Sequence, residues 1–145
     1  PLSLDDWGGA PIYGDVLFHT DLFQVIQKLD GIGDDGISGT LAGVEQAKWT
    51  WESWNTDVAA LDGGLQMLLL WARERLGGAA LPMAIGQMLV HSDVPPEGPI
   101  RCIARCRPDG TSRGIADIIF EDAAGQPFTE FRDVELVLRP RPAKD

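Results

Sequence analysis

Asn55-Thr56-Asp57-Val58-Ala59-Ala60-Leu61-Asp62-Gly63-Gly64-Leu65-Gln66-Met67-Leu68-Leu69-Leu70-Trp71-Ala72-Arg73-Glu74-Arg75-Leu76-Gly77-Gly78 carries every mark of a helix and its ends. Its first three residues offer N-cap oxygens, no proline follows from Val58 to Leu76, and Gly77-Gly78 supplies a left-handed stop. Arg73 and Arg75 fall in the last turn, where cations face the negative end of the helix dipole. The spacing predicts one helix over Val58 to Leu76. Val58, Leu61, Leu65, Leu68, Leu69 and Ala72 form an apolar stripe, and Met67, Leu70 and Trp71 cover much of the rest. A helix apolar on nearly every side is covered on nearly every side.

What covers it follows from the flanks. Phe18 to Leu29 is apolar and reads as a short helical turn around Asp21 to Gln24 and then a strand. Gly31-Ile32-Gly33-Asp34-Asp35-Gly36 reads as a hairpin turn before a second strand, Ile37 to Leu41. After the helix the period changes. Met83 to His91, Ile100 to Arg107, Gly114 to Glu121 and Phe128 to Leu138 are strand-length runs. They are separated by Pro95-Pro96-Glu97-Gly98, Pro108-Asp109-Gly110 and Asp122-Ala123-Ala124-Gly125. The last three runs make an antiparallel meander, in which Ile100, Cys102, Ala104 and Cys106 share a core face and Arg101, Arg105 and Arg107 a solvated one. One buried helix among five to seven antiparallel strands is an α+β fold in which the sheet wraps the helix, the hotdog architecture. Residues 1–13 read as a leading linker or an edge segment, 14–138 as a single hotdog domain and 139–145 as a C-terminal linker.

Composition narrows the function. With 145 residues, 44% hydrophobic and 23% charged, the chain is one globular domain. A net charge of −10 argues against nucleic acid as a partner, since phosphate binding needs Lys and Arg. The longest apolar stretch, Leu65 to Ala72, is interrupted by Gln66 and falls far short of the ~20 residues that span a bilayer, so no membrane partner is expected. The chain opens at Pro1 without a basic or apolar leader, which reads as a piece of a longer cytoplasmic protein. Cys102 and Cys106 would lie about 13 Å apart along a strand, beyond disulfide reach, and read as reduced core residues. His19 and His91 are far apart and no C-x-x-C is present, so no metal site is expected. Nucleotide, dinucleotide, serine-hydrolase and zincin signatures are also absent. What remains is cofactor-free acid–base chemistry.

The residues for it stand within the helix. Asp62 and Gln66, spaced i, i+4, project from one side, and no Lys or Arg precedes Arg73 to pair with Asp62. A buried carboxyl without a partner is pushed towards its neutral form, as a general acid requires, and an amide one turn on can orient it. Gly63 and Gly64 are costly in a helix and leave room for a substrate or another backbone. An equally simple account makes Asp62 a helix-start carboxylate and the glycines packing devices. Tyr13, Trp49, Trp51 and Trp54 read as packing residues before ligand contacts, and His91 as the surface end of a strand. The arginine face reads as solvated strand before a docking surface.

Resemblance bears on that choice. Trp54-Asn55-Thr56-Asp57-Val58-Ala59-Ala60-Leu61-Asp62-Gly63-Gly64-Leu65-Gln66 resembles the D-x-x-x-Q segment of the second hotdog half of polyketide synthase dehydratase domains. Leu17-Phe18-His19-Thr20-Asp21-Leu22-Phe23-Gln24 resembles the F-H-G-P-x-F-Q element that opens that half. Leu81-Pro82-Met83-Ala84-Ile85 resembles the L-P-x-x-I/W element that follows its helix. The three come in the family's order, and the F-H and W-x-x-D-x-x-L-D-G-x-L-Q variants are most similar to iterative synthases, including those making polyunsaturated fatty acids. The resemblance implies dehydration of a β-hydroxyacyl thioester carried on the phosphopantetheine of an acyl carrier protein, with no separate cofactor. It implies Asp62 as the acid, Gln66 as its orienting partner, and His19, Phe23, Gly63, Leu81 and Pro82 as substrate-lining residues. Partners implied are the acyl carrier protein, other synthase domains, and a neighbouring hotdog half or a second copy.

The chain also departs from the family. Neither His19 nor His91 stands in H-x-x-x-G-x-x-x-x-P, the motif of the catalytic base, and Thr20 and Asp21 replace the Gly and Pro of the aromatic element. Two alternatives stay open: a dehydratase-like hotdog without catalysis that serves acyl binding or dimerisation, and a stand-alone hotdog thioesterase or isomerase.

Overall fold

The computed structural model describes residues 2–8, 12–13, 25–42, 58–92 and 98–139. The expected turn of helix at Asp21–Gln24, the tryptophans Trp49, Trp51 and Trp54, the N-cap residues Asn55 to Asp57, the Pro95-Pro96-Glu97 turn and residues 140–145 lie outside them.

The sheet is antiparallel and seven-stranded among the described residues: β1 Asp5–Asp6, β2 Ile26–Gly33, β3 Gly36–Leu41, β4 Ala80–Val90, β5 Ile100–Pro108, β6 Arg113–Glu121 and β7 Pro127–Leu138. Their order is β1-β2-β3-β5-β6-β7-β4, so β5, β6 and β7 form the expected meander and β4 closes the far edge. The helix α1, Val58–Trp71, packs on β2, β3, β5 and β6. The fold is the α+β hotdog expected from the pattern of one helix and many strands.

The helix ends as its sequence requires, with one refinement. Residues Ala72–Leu76 continue it as a π-helical turn, and Gly77 closes it in the left-handed region at φ 80°. Its last α residue, Trp71, is fully buried and donates its indole N–H to Gly33 O at 2.9 Å, which ties the helix end to the end of β2. Below it the core is aliphatic and aromatic: Ile37, Leu41, Met67, Leu68, Ile100, Ile118 and Phe120 are sealed from solvent. Phe120 meets Phe131 edge to face at 5.5 Å between centroids.

Most strand limits fall within a residue of expectation, and two differ by more. β2 runs on through Gly31 and Gly33, leaving only Asp34-Asp35 to turn. Glycine stands at both strand positions because the opening segment passes so close: a β-carbon on Gly31 would stand 2.6 Å from Asp5 O, and one on Gly33 would collide with Ser3 O. The opening segment thus contributes an edge strand. β4 starts at Ala80 rather than Met83 and takes in Leu81 and Pro82. Proline is tolerated there because β4 is an edge strand and its register with β7 shifts between Pro82 and Ala84.

On β5, Ile100, Cys102, Ala104 and Cys106 are buried while Arg101, Arg105 and Arg107 are exposed. Both cysteines are free, as expected. Glu121 and Asp117 sit directly opposite Arg101 and Arg105 on β6, so acids stand beside two of the three arginines of that face. His91 follows β4 at the surface, its Nε2 3.5 Å from Glu130 Oε1. Among the described residues no helix is long and apolar enough to cross a membrane.

Candidate active site

The helical spacing of Asp62 and Gln66 brings them together. Gln66 donates its Nε2–H to Asp62 Oδ2 at 2.6 Å, and among the described residues Oδ1 receives no hydrogen bond. Gln66 is buried at 1% exposure, whereas Asp62 is half-buried at the margin of the helix. The expectation that Asp62 is enclosed without a partner is therefore corrected. Its carboxyl has one oxygen held by an amide and is open enough to meet another molecule.

The partner that sequence reading set aside is Tyr13. Its hydroxyl donates to Gln66 Oε1 at 2.5 Å and accepts the Ile26 backbone N–H at 3.0 Å. Burial pushes the Tyr13 phenol up to about 12, and the nearby Asp62 charge adds to this, while backbone hydrogen bonds from Ile26 and Val25 act the other way. Tyr13 thus remains a neutral donor at any ordinary pH. No local pattern announces this contact, because its two partners are 53 residues apart in sequence.

Gly63 and Gly64 have a different surrounding from the one expected. A β-carbon on Gly63 would lie 2.8 Å from Val25 Cγ2 and 3.0 Å from Leu41 Cδ2, and one on Gly64 would lie 2.5 Å from Phe120 Cζ. The room above both glycines is filled by the protein's own core, and close packing of helix on sheet accounts for them. Leu81 and Pro82 lie on the edge strand β4, Leu81 at 42% exposure, and no hydrogen bond joins them to the Asp62 pair. His19 and Phe23 lie outside the described residues. Among the described residues no three His, Cys, Asp or Glu side chains come together as a metal site would require.

A helix wrapped by one antiparallel sheet, with an Asp–Gln pair near the helix start, defines a hotdog protein. The family model described as the polyketide synthase dehydratase N-terminal domain matches residues 10–145, and the chain belongs to the polyketide synthase dehydratase family. Among solved structures the chain is similar to a trans-acyltransferase polyketide synthase enoyl-isomerase, with TM-score 0.68 and 11% identity over 81% of this chain and 46% of that one. It is also similar to the dehydratase domain of PpsC from Mycobacterium tuberculosis, with TM-score 0.67 and 21% identity over 85% of this chain and 45% of that one. The thioesterase SAV0944 from Staphylococcus aureus gives TM-score 0.61 and 16% identity over 77% of this chain and 92% of that one. At these identities the likeness is one of fold. The chain spans about half the length of the two synthase structures. No curated protein matches the sequence.

Proposed function

We propose that this chain is the acid-bearing half of a dehydratase domain in a type I polyketide or polyunsaturated fatty acid synthase, acting on a β-hydroxyacyl thioester held by an acyl carrier protein. The observation that carries this reading is the half-buried Asp62 carboxyl, gripped through Oδ2 by Gln66 and without a described donor on Oδ1. Asp62 gives its proton to the departing β-hydroxyl, which leaves as water. A histidine base on the complementary first hotdog half takes the α-proton, and the electrons of that C–H bond form the new double bond as the C–O bond breaks. The product is the α,β-unsaturated thioester, and no cofactor is consumed.

The family description speaks of an N-terminal domain. The acid-bearing second half is favoured here by D-x-x-x-Q at Asp62 to Gln66 and by the lack of an H-x-x-x-G-x-x-x-x-P motif around either histidine. The resemblance of Phe18-His19 and Trp54-to-Gln66 to iterative synthases favours that subclass.

The test is incubation of the chain, with and without a complementary hotdog half, with a 3-hydroxyacyl carrier protein, following water loss by intact-protein mass. Water loss that needs both halves and disappears in Asp62→Asn is expected. No loss in either mixture favours the non-catalytic acyl-binding or dimerisation reading. Thioester hydrolysis without water loss favours a thioesterase.

A further inference from the structure

We propose that Tyr13 is a positioning residue of this site, holding Gln66 so that Asp62 presents its second carboxyl oxygen outward. The inference rests on the acid role proposed for Asp62, but the contact itself is independent of it. Donors run in one direction: Ile26 N–H to Tyr13 Oη at 3.0 Å, Tyr13 O–H to Gln66 Oε1 at 2.5 Å, and Gln66 Nε2–H to Asp62 Oδ2 at 2.6 Å. The two ends of a primary amide are alike in shape and differ only in what they donate and accept. Were Gln66 to turn over, its oxygen would face the Asp62 carboxylate and its NH2 would face the Tyr13 hydroxyl. A backbone N–H can only donate, so Ile26 occupies the Tyr13 oxygen and leaves the hydroxyl hydrogen to point at Gln66. That choice fixes which end of the amide meets Asp62.

The anchor is rigid and the link is dry. Ile26 is the first residue of β2 and pairs with Leu41 on β3, so the chain of donors is rooted in the sheet. Gln66 is almost wholly buried, so loss of the hydroxyl would leave an amide oxygen that water replaces poorly. Tyr13 touches Gln66 rather than the carboxyl, and its effect on chemistry passes through that amide.

The measurement is the side-chain amide signal of Gln66 in 15N-labelled, unliganded protein, assigned with Gln66→Ala, in wild type and in Tyr13→Phe. Tyr13→Phe keeps the ring. Its Gln66 amide protons should exchange with solvent about tenfold faster, the equivalent of one buried hydrogen bond. With a complementary half and a 3-hydroxyacyl carrier protein, kcat should fall about tenfold with KM within about twofold, the pattern of a lost orientation rather than lost binding. Unchanged Gln66 exchange in a folded Tyr13→Phe protein overturns the proposal. If that variant does not fold, wild type decides: a nuclear Overhauser contact between the Tyr13 hydroxyl proton and Gln66 supports the contact, and its absence overturns it. Loss of Gln66 protection together with full activity in Asp62→Asn would instead remove the acid role and leave the contact standing.

Discussion

Gly64 measures how tightly the helix is laid on the sheet. A methyl group there would press on Phe120 Cζ and Cε1 at 2.5 and 2.7 Å, and that ring is wedged between Phe128 and Phe131. Alanine normally favours a helix over glycine by up to about 1 kcal/mol, but overpacking costs about 1–3 kcal/mol. Gly64→Ala is therefore expected to destabilise the fold despite its better propensity, seen as a lower urea midpoint at unchanged slope. Sequence alone shows that two helical glycines need a reason and is silent on which reason, because the answer depends on residues remote in the chain, Val25 and Leu41 for Gly63 and Phe120 for Gly64. Asp62 and Gln66 were legible because helical spacing alone puts them side by side. Tyr13 was not, since its hydroxyl finds Gln66 only through tertiary structure.

The helix was readable from its caps, its lack of proline and its closing glycine pair, all local signals that tertiary packing reinforces. The strands were readable where apolar and polar residues alternate, as on β5, and misread where glycine or proline serves a neighbour. Gly31 and Gly33 look like a turn and are strand residues that admit β1; Pro82 looks like a boundary and is an edge-strand residue. β5 also carries a pH dependence. Burial raises both the Cys102 and the Cys106 thiols above the ordinary range near 8.5. Above that range the unfolded chain releases thiol protons that the folded chain keeps, so fewer protons are bound unfolded and stability falls as pH rises. Tyr13 adds to the loss between its ordinary 10.0 and about 12. Urea midpoints should decline from pH 8 to pH 10 in wild type and decline less steeply in Cys102→Ala/Cys106→Ala. Equal slopes would contradict the burial account.

In the molecule as a whole, the exposed large apolar side chains among the described residues are Leu81, Met83, Ile85, Met88 and Val90, all on β4. An edge strand normally discourages pairing with charge or proline, yet this one carries no charge and no proline beyond Pro82. The helix stripe of Leu61, Leu65 and Leu69 is likewise only half-buried. Both features leave apolar surface on a fold for which the resemblance implies a second hotdog as partner. Met83→Lys/Ile85→Lys is expected to weaken association with a complementary half, or with a second copy, in sedimentation velocity while leaving the helix content unchanged. Association of equal strength in the variant would place the partner elsewhere.

The strand order has a consequence in time as well as in space. Among the described residues β4 hydrogen-bonds to β7 alone, so Ala80–Val90 waits for Pro127–Leu138, the last of the described strands. The pairing of β3 with β5 likewise joins Gly36–Leu41 to residues 100–105 across the whole helix. Such distant pairings are slow to form, and a nascent chain that has not yet released β7 shows an apolar strand with nothing beside it. The described sheet becomes whole only when β7 clears the ribosome. Until then the apolar side chains of β4 are the surface most prone to a wrong pairing.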